Sequence, residues 1–373
     1  MIFTIGIFTS FFYFILLLNK KHKSLPDNIL ALWMFVIGIH LTGYYVYSKG
    51  YWEIYPHLVG TTAPVPFFYG PLLYLYVVSS ISGQQRLHGK DYLHFLPIVL
   101  TYLYLFEFYF FYTEEEKRLV DQGLIDDFST FINLMVAGFI ISAVMYTIYS
   151  YRLLDQHKKL LENNFSNTER INLSWLKGFI WAVGLLFITV ALVLISQDVF
   201  NIRYPFTADY IFYTIIVLGI LCLGYFGIRH QNVFSDNVVL RQGEPQESAY
   251  KKSSLKGELA GKKHQALTQL MVEQKPYLQP NLTLTGLANQ LDISLHHLSQ
   301  IINQFEGQNF NDFVNKYRVE EFIERAKKDT HYSYLALALD SGFNSKSTFN
   351  AVFRKHKGVT PSKYMTSLEE KAS

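Results

Sequence analysis

Cysteine is nearly absent: the 373-residue chain has one, Cys222, and it lies inside an apolar run. A lone thiol excludes a disulfide framework and a thiolate metal site. Charge is scarce too, but only in one stretch. Residues 1–228 carry 14 Lys and Arg and 15 Asp and Glu, whereas the shorter remainder, 229–373, carries 19 and 15. The net charge of +3 therefore averages two unlike polymers. The excess on the second permits a nucleic-acid partner without requiring one. Also missing are a glycine-rich phosphate loop, a nucleophile motif and any His, Cys, Asp or Glu set with metal-ligand spacing. No catalytic residue, metal or cofactor is implied, and the chain does not read as an enzyme.

Long apolar runs are what the first part has in abundance. They recur at 2–18, 29–47, 65–82, 93–112, 131–151, 178–196 and 210–228. Most approach the ~20 residues that a helix needs to cross a hydrocarbon core. Seven in succession, with polar segments only between them, would leave a soluble fold little polar surface to face water. A cleaved signal peptide carries its positive charge before the apolar stretch. Here Lys20, Lys21 and Lys23 follow the first run, so it is expected to be a retained span.

The loops orient the spans. The first, third and fifth hold Lys20, Lys21 and Lys23, then Arg86 and Lys90, then Arg152, Lys158, Lys159 and Arg170. The second, fourth and sixth hold fewer: Lys49, then Lys117 and Arg118, then Arg203. Basic loops stay in the cytoplasm, which places the N-terminus outside and everything after residue 228 inside. The expected location is the inner (cytoplasmic) membrane of a bacterium, multi-pass, with the bilayer as a partner. Two ionisable groups fall within spans, His40 in the second and Glu107 in the outer part of the fourth. Such groups are costly in lipid and are expected to face a bundle interior, as structural hydrogen-bonding groups or as sensing groups.

Residues 229–257 contain "RQGEPQESAYKKSSLKG" and read as a polar cytoplasmic linker. From 258 to 373 the pattern is that of a soluble helical domain. "ALTQLMVEQKPYLQP" puts Leu267, Leu270 and Met271 on one face before Pro276 and Pro280 close the segment. In "LTLTGLANQLDISLHHLSQIINQF", Thr283 is placed to cap a helix lined by Leu284, Leu287, Ala288 and Leu291. Ser294 is placed to cap the next, with Leu295, Leu298, Ile301 and Ile302 inward. Two short helices, a tight turn and a small residue at the crossing make a helix-turn-helix. The pattern repeats in "SYLALALDSGFNSKSTFNAVFRKH", with Ser333 and Ser345 as caps, Tyr334, Leu337 and Ala338 inside, and Phe349, Val352 and Phe353 inside the second helix. Gly342 suits a left-handed turn. Between the repeats, "NFNDFVNKYRVEEFIERAKK" forms an amphipathic helix through Phe310, Phe313, Val314, Tyr317, Phe322, Ile323 and Ala326. A rigid spacer is what two recognition helices need to enter successive major grooves, roughly 34 Å apart.

These motifs resemble the DNA-binding domain of the AraC/XylS family of bacterial transcription regulators. The resemblance covers residues 262–365 and rests on "LANQLDIS", "HLSQII", "FNDFVNKYRVEEF" and "GFNSKSTFNAVFRKHKGVTPSKY". Asp292 stands where such turns often have glycine. The whole layout is similar to membrane-bound members of that family from Bacteroidetes-type bacteria. The resemblance implies double-stranded DNA as partner. It puts base-facing side chains at His296, Ser299 and Gln300 on the first recognition helix, and at Lys346, Ser347, Asn350 and Ala351 on the second. Gln and Asn pair bidentately with adenine, Lys donates to guanine and Ala meets a thymine methyl. Arg354, Lys355 and Lys357 are expected to grip phosphate.

The expectation is an all-α chain: a seven-helix transmembrane bundle (1–228), a linker (229–257) and a double helix-turn-helix domain (258–373). It is a one-component, sequence-specific regulator controlled by a signal that the spans sense, from an extracytoplasmic or membrane ligand, with a homodimer as the working form. One alternative is a transporter or membrane enzyme with a regulatory cytoplasmic tail, which needs polar groups at matching depth in several spans. Another is a scaffold whose tail binds protein, which salt-dependent DNA binding separates from the first.

Overall fold

Ser24 starts the second helix of the chain by a reciprocal cap. Its Oγ accepts from the Asp27 N–H, while the Asp27 carboxylate accepts from the Ser24 N–H at 2.8 Å and from Lys20 Nζ at 2.6 Å. The basic first loop is thereby tied to the helix it precedes. The computed structural model describes residues 2–169, 173, 175–181, 184, 196, 202, 208–229, 257–328 and 331–372. Among these the fold is helical. The one β feature is an isolated antiparallel bridge between Phe165 and Thr283.

The chain divides into two compact units. The first is Met1–Asp155 with Leu173–Val239; the second is Gln156–Asn172 with Leu240–Ser373. The expected linker lies almost wholly outside the described residues.

In the first unit, α1 (Ile2–Leu18) packs on α2 (Leu25–Ser48), and α2 packs on α3 (Tyr69–Ser82). Among the described residues, three helical stretches are long and apolar enough to cross a membrane: Leu25–Ser48, Val65–Ser82 and Ser129–Asn164. The first apolar run forms the shorter α1. The fourth run, expected as one span over 93–112, is not one helix. A 3-10 segment (Gly89–Phe95) leads into α4 (Leu96–Tyr104), and α5 (Phe106–Phe111) follows Leu105, whose ψ of 2° breaks the helix. Pro97, at the start of α4, has no N–H to donate back into the preceding turn. Apolarity alone did not reveal these interruptions. A short α6 (Glu114–Asp121) precedes the 36-residue α7 (Ser129–Asn164). Most of the sixth run, 178–196, lies outside the described residues. The seventh falls within α8 (Ala208–Arg229), which packs on α1 and α2.

This unit is apolar on both sides. Met34, Leu41, Val77 and Ile220 are fully buried, yet Phe8, Leu103, Phe110 and Leu134 are each 64–73% exposed. His40 behaves as expected of an interior polar group: it is buried, with Nδ1 2.6 Å from the Tyr69 hydroxyl and Nε2 3.0 Å from that of Tyr213. Glu107 does not. It sits exposed in the first turn of α5, not in a bundle interior. Glu107 follows the break at Leu105 by two residues, so it belongs to a separate short helix and not to one continuous span.

The second unit is two small cores strung on one helix. After α9 (Gly257–Glu273) come α10 (Leu284–Gln290) and α11 (Leu295–Ile301), then the long α12 (Phe310–Lys328), then α13 (Tyr334–Asp340), α14 (Lys346–Lys357) and α15 (Pro361–Ala372). Leu267, Met271, Leu287, Ala288, Leu298 and Ile301 pack with Phe310, Phe313 and Val314 from the first half of α12. Leu337, Ala338, Phe343, Phe349 and Phe353 pack with Val319, Phe322 and Ile323 from its second half. Two residues expected inside are exposed, Leu295 at 38% and Tyr334 at 36%; Leu291, Tyr317 and Val352 are half-buried against the cores.

Candidate nucleic-acid interface

All four expected caps form. Thr283, Ser294, Ser333 and Ser345 accept from the backbone N–H groups of Gly286, His297, Ala336 and Thr348 at 3.0–3.2 Å. The two turns between the paired helices share one hydrogen-bond pattern. Ile293 N–H donates to the Ala288 carbonyl and Asp292 N–H to that of Asn289. Phe343 N–H donates to the Ala338 carbonyl and Gly342 N–H to that of Leu339. Both are Schellman motifs, which need a left-handed residue after the helix. Asp292 supplies it at φ 48° and Gly342 at φ 94°. Asp292 thus does glycine's job by adopting glycine's conformation, which Asp tolerates better than most residues. Asp292→Gly is expected to leave the fold intact and raise its stability by up to about 1 kcal/mol. Thermal melting of the full chain checks this; a loss would show that the carboxylate itself holds the turn.

The turns set the recognition helices, α11 and α14. On α11, His296 is exposed, and Ser299 and Gln300 are half-buried on the same side. On α14, Lys346, Ser347, Asn350, Ala351 and Arg354 are all exposed, at the i, i+3, i+4 spacing of one helix face. The structure thus groups each set of expected base-facing residues on one helix. Lys355 and Lys357 stand differently. Lys355 pairs with Asp312 at 2.5 Å and Lys357 with Glu320 at 2.6 Å, both on α12. Ser347 is not free either: its Oγ donates to Glu169 at 2.7 Å.

The residue that joins the two cores escaped the sequence reading. Arg318 lies on the buried face of α12 and is 1% exposed. Its Nε donates to the Tyr277 carbonyl at 2.8 Å, and Nη2 to that of Gln279 at 2.8 Å and to Ser166 Oγ at 3.0 Å. Its Nη1 reaches Asn315 Oδ1 and the Ser166 carbonyl. Burial lowers its pKa to about 10, so it stays charged at neutral pH. The signal was present: Arg318 is four residues from both Val314 and Phe322, a cation inside an apolar stripe. The same socket holds Ser166, from the segment after α7. Asn311 Nδ2 donates to the Phe165 and Ser166 carbonyls, both at 3.0 Å.

Known proteins agree with this geometry. The family profile of a helix-turn-helix domain matches residues 287–367. A probable transcription factor, PqrA of Proteus vulgaris, is 35% identical over 83 residues, covering 22% of this chain and 67% of that protein. The transcriptional regulatory protein HptR of Staphylococcus aureus is 24% identical over 98 residues, covering 26% of this chain and 38% of that protein. The chain therefore spans about two thirds of the first relative and well under half of the second. No solved structure matches it. With two helix-turn-helix units on one connecting helix and these relatives, the chain belongs to the AraC family of DNA-binding transcription regulators.

Proposed function

We propose that this protein is a membrane-bound, one-component transcription regulator that carries its own sensor. The observation that carries the reading is the duplicated helix-turn-helix turn, in a chain whose other unit exposes Phe8, Leu103, Phe110 and Leu134. An exterior of that kind is stable in lipid and not in water. Seven spans cross the inner membrane with the N-terminus outside, and residues 258–373 read DNA in the cytoplasm. His296, Ser299 and Gln300, with Lys346, Ser347, Asn350 and Ala351, face bases in successive major grooves. Arg354 grips phosphate; Lys355 and Lys357 join it on leaving Asp312 and Glu320. His40, held between Tyr69 and Tyr213, is the polar centre through which a ligand or proton biases the bundle. A working dimer raises the local concentration of one reader beside another.

Two measurements test the halves separately. A reporter active only in the cytoplasm, fused after residue 230, should give signal, and fused after residue 120 should give none; the reverse would end the topology. Asn350→Ala and Gln300→Ala should each weaken a specific site by about 1–3 kcal/mol with little change on random DNA. Arg354→Ala should weaken both alike and flatten the salt dependence. Equal losses on both DNAs for Asn350→Ala would show that α14 does not read bases.

A further inference from the structure

The segment that follows α7 packs as part of the DNA-reading unit. Its anchor is buried: Ser166 is 1% exposed, its N–H donates to the Leu282 carbonyl at 3.1 Å, and Arg318 and Asn311 hold it from the other side. Its tip is exposed. Three residues beyond the anchor, the Glu169 carboxylate accepts from Ser345 Oγ, Ser347 Oγ and Thr348 Oγ1, each at 2.7 Å. Ser345 is the N-cap of α14, and Ser347 and Thr348 lie in its first turn. A helix N-terminus favours an anion, since its first N–H groups and the helix dipole both point at it. Helix N-termini and hydroxyl side chains are also common ligands of DNA phosphate.

We propose that residues 165–169 form an autoinhibitory latch, in which Glu169 occupies the N-terminus of the second recognition helix and excludes DNA from it. The proposal rests on α14 reading DNA. A carboxylate at that end uses up three hydroxyl donors and repels the phosphate backbone. DNA therefore docks α14 only after Glu169 leaves. The division of burial suits a switch: the Ser166–Arg318 anchor keeps the segment in register, while the water-exposed hydrogen bonds at the tip are weak enough to exchange. Because the latch continues α7, a signal acting on that helix has a covalent route to the reader that does not use residues 229–257. Apparent affinity falls by the fraction of molecules that are competent, so a latch closed about nine tenths of the time weakens binding about tenfold.

The test uses the full chain in lipid nanodiscs and a duplex selected from a random pool by the Glu169→Ala protein. Glu169→Ala should bind that duplex about tenfold more tightly than the unsubstituted protein. A second arm places cysteines by Glu169→Cys and Thr348→Cys, at another donor to the same carboxylate, in a Cys222→Ser background and bridges them with a short bis-methanethiosulfonate. The bridged protein should lose binding about tenfold or more and regain it on reduction. Equal affinity of Glu169→Ala and the unsubstituted protein, with Asn350→Ala still weakening the selected duplex and not random DNA, overturns the latch and leaves the DNA reading standing. Failure of the cysteines to bridge overturns it as well. Absence of salt-dependent binding to any duplex by every form overturns the DNA reading and the latch together.

Discussion

Arg318→Ala is expected to destabilise the DNA-reading unit by about 3–5 kcal/mol, the cost of breaking a buried charged network. That is a large fraction of the ~5–15 kcal/mol that holds a typical domain together. The guanidinium donates to the carbonyls of Tyr277 and Gln279 and to both oxygens of Ser166. Alanine would take away the one side-chain donor shown to the Tyr277 carbonyl and to Ser166 Oγ, and open a cavity on α12 between the two cores. Arg318→Lys should fare little better, because an ammonium group lacks the planar fork that reaches several acceptors at once. Limited proteolysis and thermal melting of the full chain read the result. A loss below about 1 kcal/mol would mean that the network is incidental to the fold.

Gly342→Ala carries the second large penalty, and Gly358→Ala provides its control. Both residues have positive φ, 94° and 77°. A methyl group at either pays for a left-handed backbone, about 1–2 kcal/mol. Nothing lies within 4 Å of a Cβ at Gly358, whereas one at Gly342 would run into the Tyr277 carbonyl oxygen and lie 3.0 Å from Arg318 Nε. The first substitution should therefore cost clearly more than the second. Because Tyr277 also accepts from Arg318, the displacement would reach the socket between the two cores. Equal losses in melting temperature would show that the close approach relaxes without cost.

How much of this was legible in sequence depends on the kind of interaction. Local rules found the four caps, because a Ser or Thr before an apolar period has one obvious partner, two or three residues on. They also found the repeat and the inner faces, apart from Leu295 and Tyr334 at the helix starts. They could not find the break at Leu105, since an apolar run looks the same whether its helix is continuous or interrupted. Glu107, two residues past that break, was expected in an interior and is exposed. Nor could they find the socket or the latch. Ser166 and Arg318 are 152 residues apart, and Glu169 and Ser345 are 176 apart. Ser166, Glu169 and Ser345 are each ordinary polar residues in their own neighbourhoods. Arg318 alone left a trace, as a charge in an apolar stripe.

The central claim is that a chain built to sit in a membrane reads specific DNA through α14. The most direct measurement is crosslinking of the full-length protein to the genome in its own host, with the Asn350→Ala protein compared at equal abundance in the membrane fraction. The account predicts discrete occupied sites for the unsubstituted protein, sharing a sequence, and their loss on substitution. No enrichment above background, or the same sites at the same strength in both proteins, would contradict it.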